Sequence, residues 1–223
     1  GEFGEITGAT LHRWGGGQIS GGGCQDLSIL RLLTGMEVAE VVAWGQPVHK
    51  LDDDEDDDGL DINARFTMTD GLVVPAFSYK TPHIGADVWT DQALIHWEWE
   101  ESVKVYSGYD ETGCRIPLDR PFTQAPYPEF WYLGSSINSF LDSVRTGSKL
   151  WISGHDLRQA LEIAIAAKRS AACGSVPIKL PLADRNLTLK PSPFRWNGGA
   201  TTGRYQRTKA SKTPWTGYVL SLI

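Results

Sequence analysis

The chain has 223 residues, 41% of them apolar and 22% charged, and a formal net charge of −6. Those values exclude collagen-like and wholly disordered material and allow a proper hydrophobic core. The charge is local: residues 52–58, DDDEDDD, hold seven acids, without which 20 acids face 21 bases, and seven Lys or Arg with no acid lie from Arg185 onward. No run approaches the roughly 18 apolar residues of a membrane helix, and the opening GEFGEITGAT lacks a signal-peptide pattern. Cys24, Cys114 and Cys173 are too scattered for a disulfide framework or a zinc site, so we expect a reducing, cytoplasmic setting with no membrane association.

In chain order, residues 4–14 read as a strand leading to Trp14. Two glycine triplets follow, Gly15-Gly16-Gly17 and Gly21-Gly22-Gly23. Leu27, Ile29, Leu30, Leu32 and Leu33 make a short helix with a glycine stop at Gly35. Val38–Trp44 is rich in β-branched residues and reads as a strand. The acidic run reads as a solvated loop, since adjacent like charges repel. Leu60–Phe66 alternates with its apolar residues on even positions, Asp70-Gly71 signals a hairpin, and Leu72–Tyr79 returns. Ala93–Trp99 and Ser102–Tyr106 are further strands, with a turn at Asp110–Gly113. A proline-rich loop, 117–128, ends in Phe130-Trp131-Tyr132.

Two helices close the sequence. Ile137, Phe140, Leu141 and Val144 form one apolar stripe at helical spacing. Ser153 with Asp156 predicts a capping box for a second helix, whose Leu157, Leu161, Ala164 and Ile165 are expected to face inward. Val176, Ile178 and Leu180 alternate as a last strand. The whole predicts one α+β domain over 1–195, a mostly antiparallel open β-sheet with helices packed on one face. Residues 196–223 read as a polar, basic tail.

Known local signatures of nucleotide binding are missing. Gly15-x-Gly17 meets Ser20 and Gly21-x-Gly23 meets Asp26 where a dinucleotide fingerprint needs its third glycine, and there is no Walker, His-Glu-x-x-His or Gly-x-Ser-x-Gly motif. The acidic run lacks EF-hand spacing, so no metal is expected. The basic tail, with Trp196, Tyr205 and Trp215, has no folded groove, so no nucleic-acid partner is expected. The tryptophans also suggest a carbohydrate platform, with Trp97 and Trp99 on one strand face.

The stretch GGGQISGGGCQDLSILRLLTG, Gly15–Gly35, resembles the signature of the Gfo/Idh/MocA oxidoreductases, in which a glycine triplet leads to Asp-x-Gly-x-His-x-x-Asp, an apolar helix and a closing glycine. Gly15-Gly16-Gly17 matches the triplet, Gly23 the inner glycine and Leu30–Gly35 the helix end. Residues 137–185 are similar to the family's closing helices and last strand, and FGEITGA to its first strand after the cofactor domain. The resemblance covers about residues 3–190 and only the family's C-terminal domain. It implies the substrate-binding and oligomerisation half of an NAD(P)-dependent sugar or polyol dehydrogenase, with NAD or NADP held by a Rossmann half outside this chain. A homodimer or higher oligomer through the open sheet face is the implied assembly.

The family's proton-handling histidine aligns with Gln25, and its two aspartates with Gly21 and Ser28. A glutamine amide does not titrate near neutral pH but can hold a hydroxyl. Gln25 and Ser28 are therefore candidate substrate-binding residues, with Asp26 as a substitute base. His12 and Trp14, alternating with Thr10 on the first strand, are further substrate-binding candidates from one face. The alternative reading is a non-catalytic relative that binds a sugar-like ligand or a protein partner, having lost the catalytic His and Asp.

Overall fold

A computed structural model describes residues 2–12, 14, 18–77, 85–98, 103–118, 131–150 and 152–190. The elements are β1 Ile6–His12, α1 Cys24–Thr34, β2 Val38–Gln46, β3 Asp61–Met68, β4 Val73–Ala76, β5 Gly85–Thr90, β6 Leu94–Glu98, β7 Lys104–Tyr109, β8 Arg115–Pro117, α2 Trp131–Thr146, α3 Gly154–Ala172 and β9 Ile178–Lys179. All nine strands join one sheet in the order β8-β7-β6-β5-β1-β4-β3-β2-β9. Every pairing is antiparallel except β1 with β4, which run parallel. The architecture is the α+β open sheet expected from the sequence.

Period-two alternation decides which face is buried. On β3, Ile62, Ala64, Phe66 and Met68 are almost completely buried, while Arg65 between them is exposed. Leu11, Val41, Ala43, Val74, Ala86 and Val88 continue this apolar surface across the sheet, where α1 and α3 cover it. Leu27 and Leu30 of α1, with Ala160, Ile163, Ala164 and Ala167 of α3, supply the other side of the core. Small alanines on α3 let its backbone come close to the sheet. Ser170, fully buried, donates to the Val176 carbonyl at 2.7 Å and accepts from the Ala43 amide at 2.9 Å, tying α3 to β2.

Several local signals act as expected. The β3–β4 hairpin turns at Asp70-Gly71, with Gly71 at φ 94° and the Asp70 carboxylate accepting from the Leu72 amide at 2.9 Å. Gly35 ends α1 in the left-handed region, φ 68°. Ser153 and Asp156 form the capping box of α3. The C-terminal half of α3 buries Ala164 and Ile165, but Leu157 and Leu161 are 57% and 38% exposed, against the inward face expected for them. On α2 the apolar stripe of Ile137, Phe140, Leu141 and Val144 is likewise uncovered among the described residues.

The acidic run is solvated as expected only at its start, where Asp52, Asp53 and Asp54 are exposed. Asp57 is completely buried, and its carboxylate accepts from the Ser20 amide at 2.6 Å. The nearby cations explain how like charges tolerate one another. Lys50 pairs with Asp56 at 2.9 Å, Arg169 with Asp53 at 2.7 Å, and the buried Lys168 donates to the Glu55 carbonyl at 2.8 Å. The run thus straps the start of the α1 segment to α3. The tail, 196–223, and Trp99 lie outside the described residues.

Candidate functional site

The second glycine triplet belongs to a π-helical turn, Ile19–Gly23, that runs directly into α1. The Gly23 amide donates to the Gln18 carbonyl at 3.2 Å, and Asp57 holds the neighbouring Ser20 amide. This packing sets the direction in which the first turn of α1 presents its side chains. Gln25 is exposed, and its amide has no hydrogen-bond partner among the described residues. Asp26 is buried, 6% exposed, facing the interior. Ser28 spends its hydroxyl on its own helix, donating to the Cys24 carbonyl at 2.8 Å. Of the candidates on α1, Gln25 alone offers an unengaged polar group to solvent.

His12 and Trp14 do not share a face. Trp14 leaves the strand line and is buried, 1% exposed, with its ring edge-on to Phe66 at 5.5 Å between centroids. Its indole N–H has no partner among the described residues. His12 stays on the open face of the sheet, stacked beside Phe77. The alternation expected along 10–14 fails at Trp14, which lies in a turn where its amide donates to the Phe77 carbonyl at 2.9 Å. Since α1 covers the other face, His12 and Gln25 lie on opposite sides of the sheet.

On the open face His12 belongs to a cluster that the sequence did not reveal. His12 Nε2 lies 3.0 Å from one oxygen of Asp87, and His96 Nδ1 lies 2.6 Å from the other. An ionised carboxylate only accepts, so each facing ring nitrogen carries its hydrogen. Glu98 stands 3.7 Å from His96 Nε2. Burial pushes the Asp87 carboxyl up, but the bonds from both histidines outweigh it and leave it below the usual carboxylate range. Such an arrangement can orient an imidazole and steady its charge. It was missed because β5, which carries Asp87, was not predicted as a strand, and its pairing with β1 spans 75 residues. No group of three or more His, Cys, Asp or Glu among the described residues is arranged to hold a metal ion.

The fold is shared with solved oxidoreductases. An NAD-binding oxidoreductase from Klebsiella pneumoniae superposes with a TM-score of 0.58 at 12% identity, over 81% of this chain and 60% of its own. The aldose-aldose oxidoreductase of Caulobacter crescentus, solved with glycerol, gives 0.56 at 16% identity over 80% of this chain and 56% of its own. A UDP-N-acetylglucosamine 3-dehydrogenase from Acidithiobacillus ferrooxidans gives 0.55 at 17% identity over 77% and 55%. The chain therefore spans between 55% and 60% of the length of these structures. The likeness is one of fold, shared with these oxidoreductase structures. No family model matches the sequence, and no curated protein does. No helix among the described residues is long and apolar enough to cross a membrane.

Proposed function

We propose that this chain is the substrate-binding and oligomerisation domain of an NAD(P)-dependent oxidoreductase that acts on a sugar or polyol hydroxyl. The observation that carries the reading is the first turn of α1, which follows the glycine segment as in the resembling family and presents the free amide of Gln25 beside the sheet. Two of the structures with this fold are named for reactions of sugars. The described residues contain no βαβ unit of the kind that cradles a dinucleotide, and in this reading the cofactor would be held by a Rossmann half outside them. When bound there, nicotinamide would supply hydride transfer at the carbinol carbon. Gln25 would hold and orient the reacting alcohol, since its amide both donates and accepts but carries no titratable proton. A second copy is proposed on the open face over β2–β4, where Trp44, Val73 and Phe77 are 51%, 48% and 44% exposed.

The loss of a titrating group at position 25 favours a second reading, a binding relative without catalysis. The experiment is NAD(P)H formation by the native-source polypeptide with aldoses and cyclic polyols. Turnover with any of them, and a Gln25→Ala variant whose KM rises more than its kcat falls, is the expected result. Absence of turnover with both NAD and NADP would refute the enzyme reading and leave the second.

A further inference from the structure

We propose that the open face of β5–β8 carries a binding site for a pyranose-type sugar ring, built from Trp89, Gln92, Tyr106, Tyr109 and Arg115. A groove of about 210 Å³ runs there between the β5–β6 turn and the β7–β8 hairpin. It lies at the far end of β5 from His12, which pairs with Gly85, whereas Trp89 pairs near the start of β1.

The floor follows from strand register. Trp89 stands opposite Leu94, and Leu94 opposite Tyr106, so the three side chains form one row on the open face. Gly8 on β1 makes room for the indole: a Cβ there would come within 3.3 Å of the Trp89 ring. Trp97, by contrast, pairs with Ala86 and packs against the core, so the platform suggested by the sequence is carried by Trp89 instead.

The wall supplies unspent polar groups. The Arg115 guanidinium lies 6.0 Å from the Tyr106 ring centre and 5.8 Å from that of Tyr109, and it has no carboxylate or carbonyl partner among the described residues. The Gln92 amide and both tyrosine hydroxyls are also without hydrogen-bond partners among the described residues. Asp91 also lines the groove, with one oxygen spent on the Glu5 amide at 2.9 Å. One acid and one base among the lining residues leave no net charge to hold an ion. A sugar ring matches this lining, with a C–H face for the aromatic floor and hydroxyls for planar amide and guanidinium groups. The volume lies below the roughly 300–1,000 Å³ of pockets for drug-sized ligands and suits one ring.

The test is a titration of the ¹⁵N-labelled full chain with methyl β-D-glucopyranoside, reading the tryptophan indole N–H signals, with Trp89 assigned by the signal lost in Trp89→Phe. We expect a saturable shift of the Trp89 signal with a dissociation constant on the order of 1 mM. Tyr109→Ala, at a residue 65% exposed and therefore safe for folding, should weaken binding about tenfold. Sodium sulfate should not compete. A shift that fails to saturate, a saturable shift confined to other indoles, unchanged binding in Tyr109→Ala, or displacement by sulfate would each overturn the proposal. None of these readouts depends on dehydrogenase activity, so the site stands or falls apart from the proposed function.

Discussion

Arg31 is where α1 is fastened to α3, and its replacement has a calculable effect. Its side chain is 9% exposed and grips Glu37 through Nε and Nη2 at 2.7 and 2.6 Å. Nη2 also donates to Gln159 at 2.6 Å, while the bonds to Asp156 are longer, 3.2 and 3.3 Å. A hydrogen bond to a charged group contributes about 1.5–3 kcal/mol net, and breaking a fully buried ion pair costs about 3–5 kcal/mol. Glu37 is 44% exposed on its side chain and can rehydrate, and Asp156 keeps Ser153 as a partner. Arg31→Met should therefore lower the unfolding free energy by about 2–3 kcal/mol, below the figure for a fully buried pair. Arg31→Lys keeps the charge but loses the fork that reaches Glu37 and Gln159 together, and should lose about 1–2 kcal/mol. Urea unfolding followed by circular dichroism reads this as a shifted midpoint at constant slope. An Arg31→Lys variant within about 0.5 kcal/mol of the parent would refute the claim that fork geometry, rather than charge alone, fastens the helices.

Three further outcomes follow from named contacts. The Ser153 hydroxyl and amide, helped by Arg31, lower the Asp156 carboxyl from 3.8 to about 2. Because the folded value is the depressed one, its contribution is present above about pH 4 and is lost as pH falls through about 2; Asp156→Asn should flatten the urea midpoint over that interval. Glu162, 8% exposed, accepts from the Leu182 amide and Arg185 at 2.7 Å each and from Arg158 at 2.9 Å. Glu162→Gln should cost about 2–3 kcal/mol and speed hydrogen exchange at the Leu182 amide, with unchanged exchange counting against this anchor. A Cβ at Gly85 would collide with the Trp97 carbonyl oxygen of the paired strand, so Gly85→Ala should destabilise by about 2–3 kcal/mol and shift amide signals at both His12 and His96. Parent-like spectra would show that β5 is not held this close to β6.

Much of the fold was legible because its signals are local. The turn at Asp70-Gly71, the stop at Gly35 and the cap at Ser153 each act within four residues, and the alternation of β3 records its buried face directly. Gln25 became a candidate only through the resemblance of Gly15–Gly35 to the Gfo/Idh/MocA signature, in which it takes the place of the family's histidine. The cluster on the open face was not legible, since His12 meets Asp87 and His96 only through strand pairing at long range. Asp26 illustrates a different limit. Helical periodicity shows that it points away from Gln25, but not that this direction is the interior.

By itself, then, the sequence determined the helix ends, the hairpin, the buried side of β3 and the residue types at the start of α1, because backbone preference and side-chain period are properties of short segments. Tertiary structure decided the parallel pairing of β1 with β4, the insertion of β5 beside β1 and the separation of His12 from Gln25 across the sheet. It also decided that the second half of the acidic run would fold against Lys50 and Lys168, with Arg169 reaching the exposed Asp53. The physical reason is common to these cases. Which charges neutralise a run of acids, and which strand covers a histidine, depends on groups distant in the chain that come together only when the apolar face of the sheet is buried.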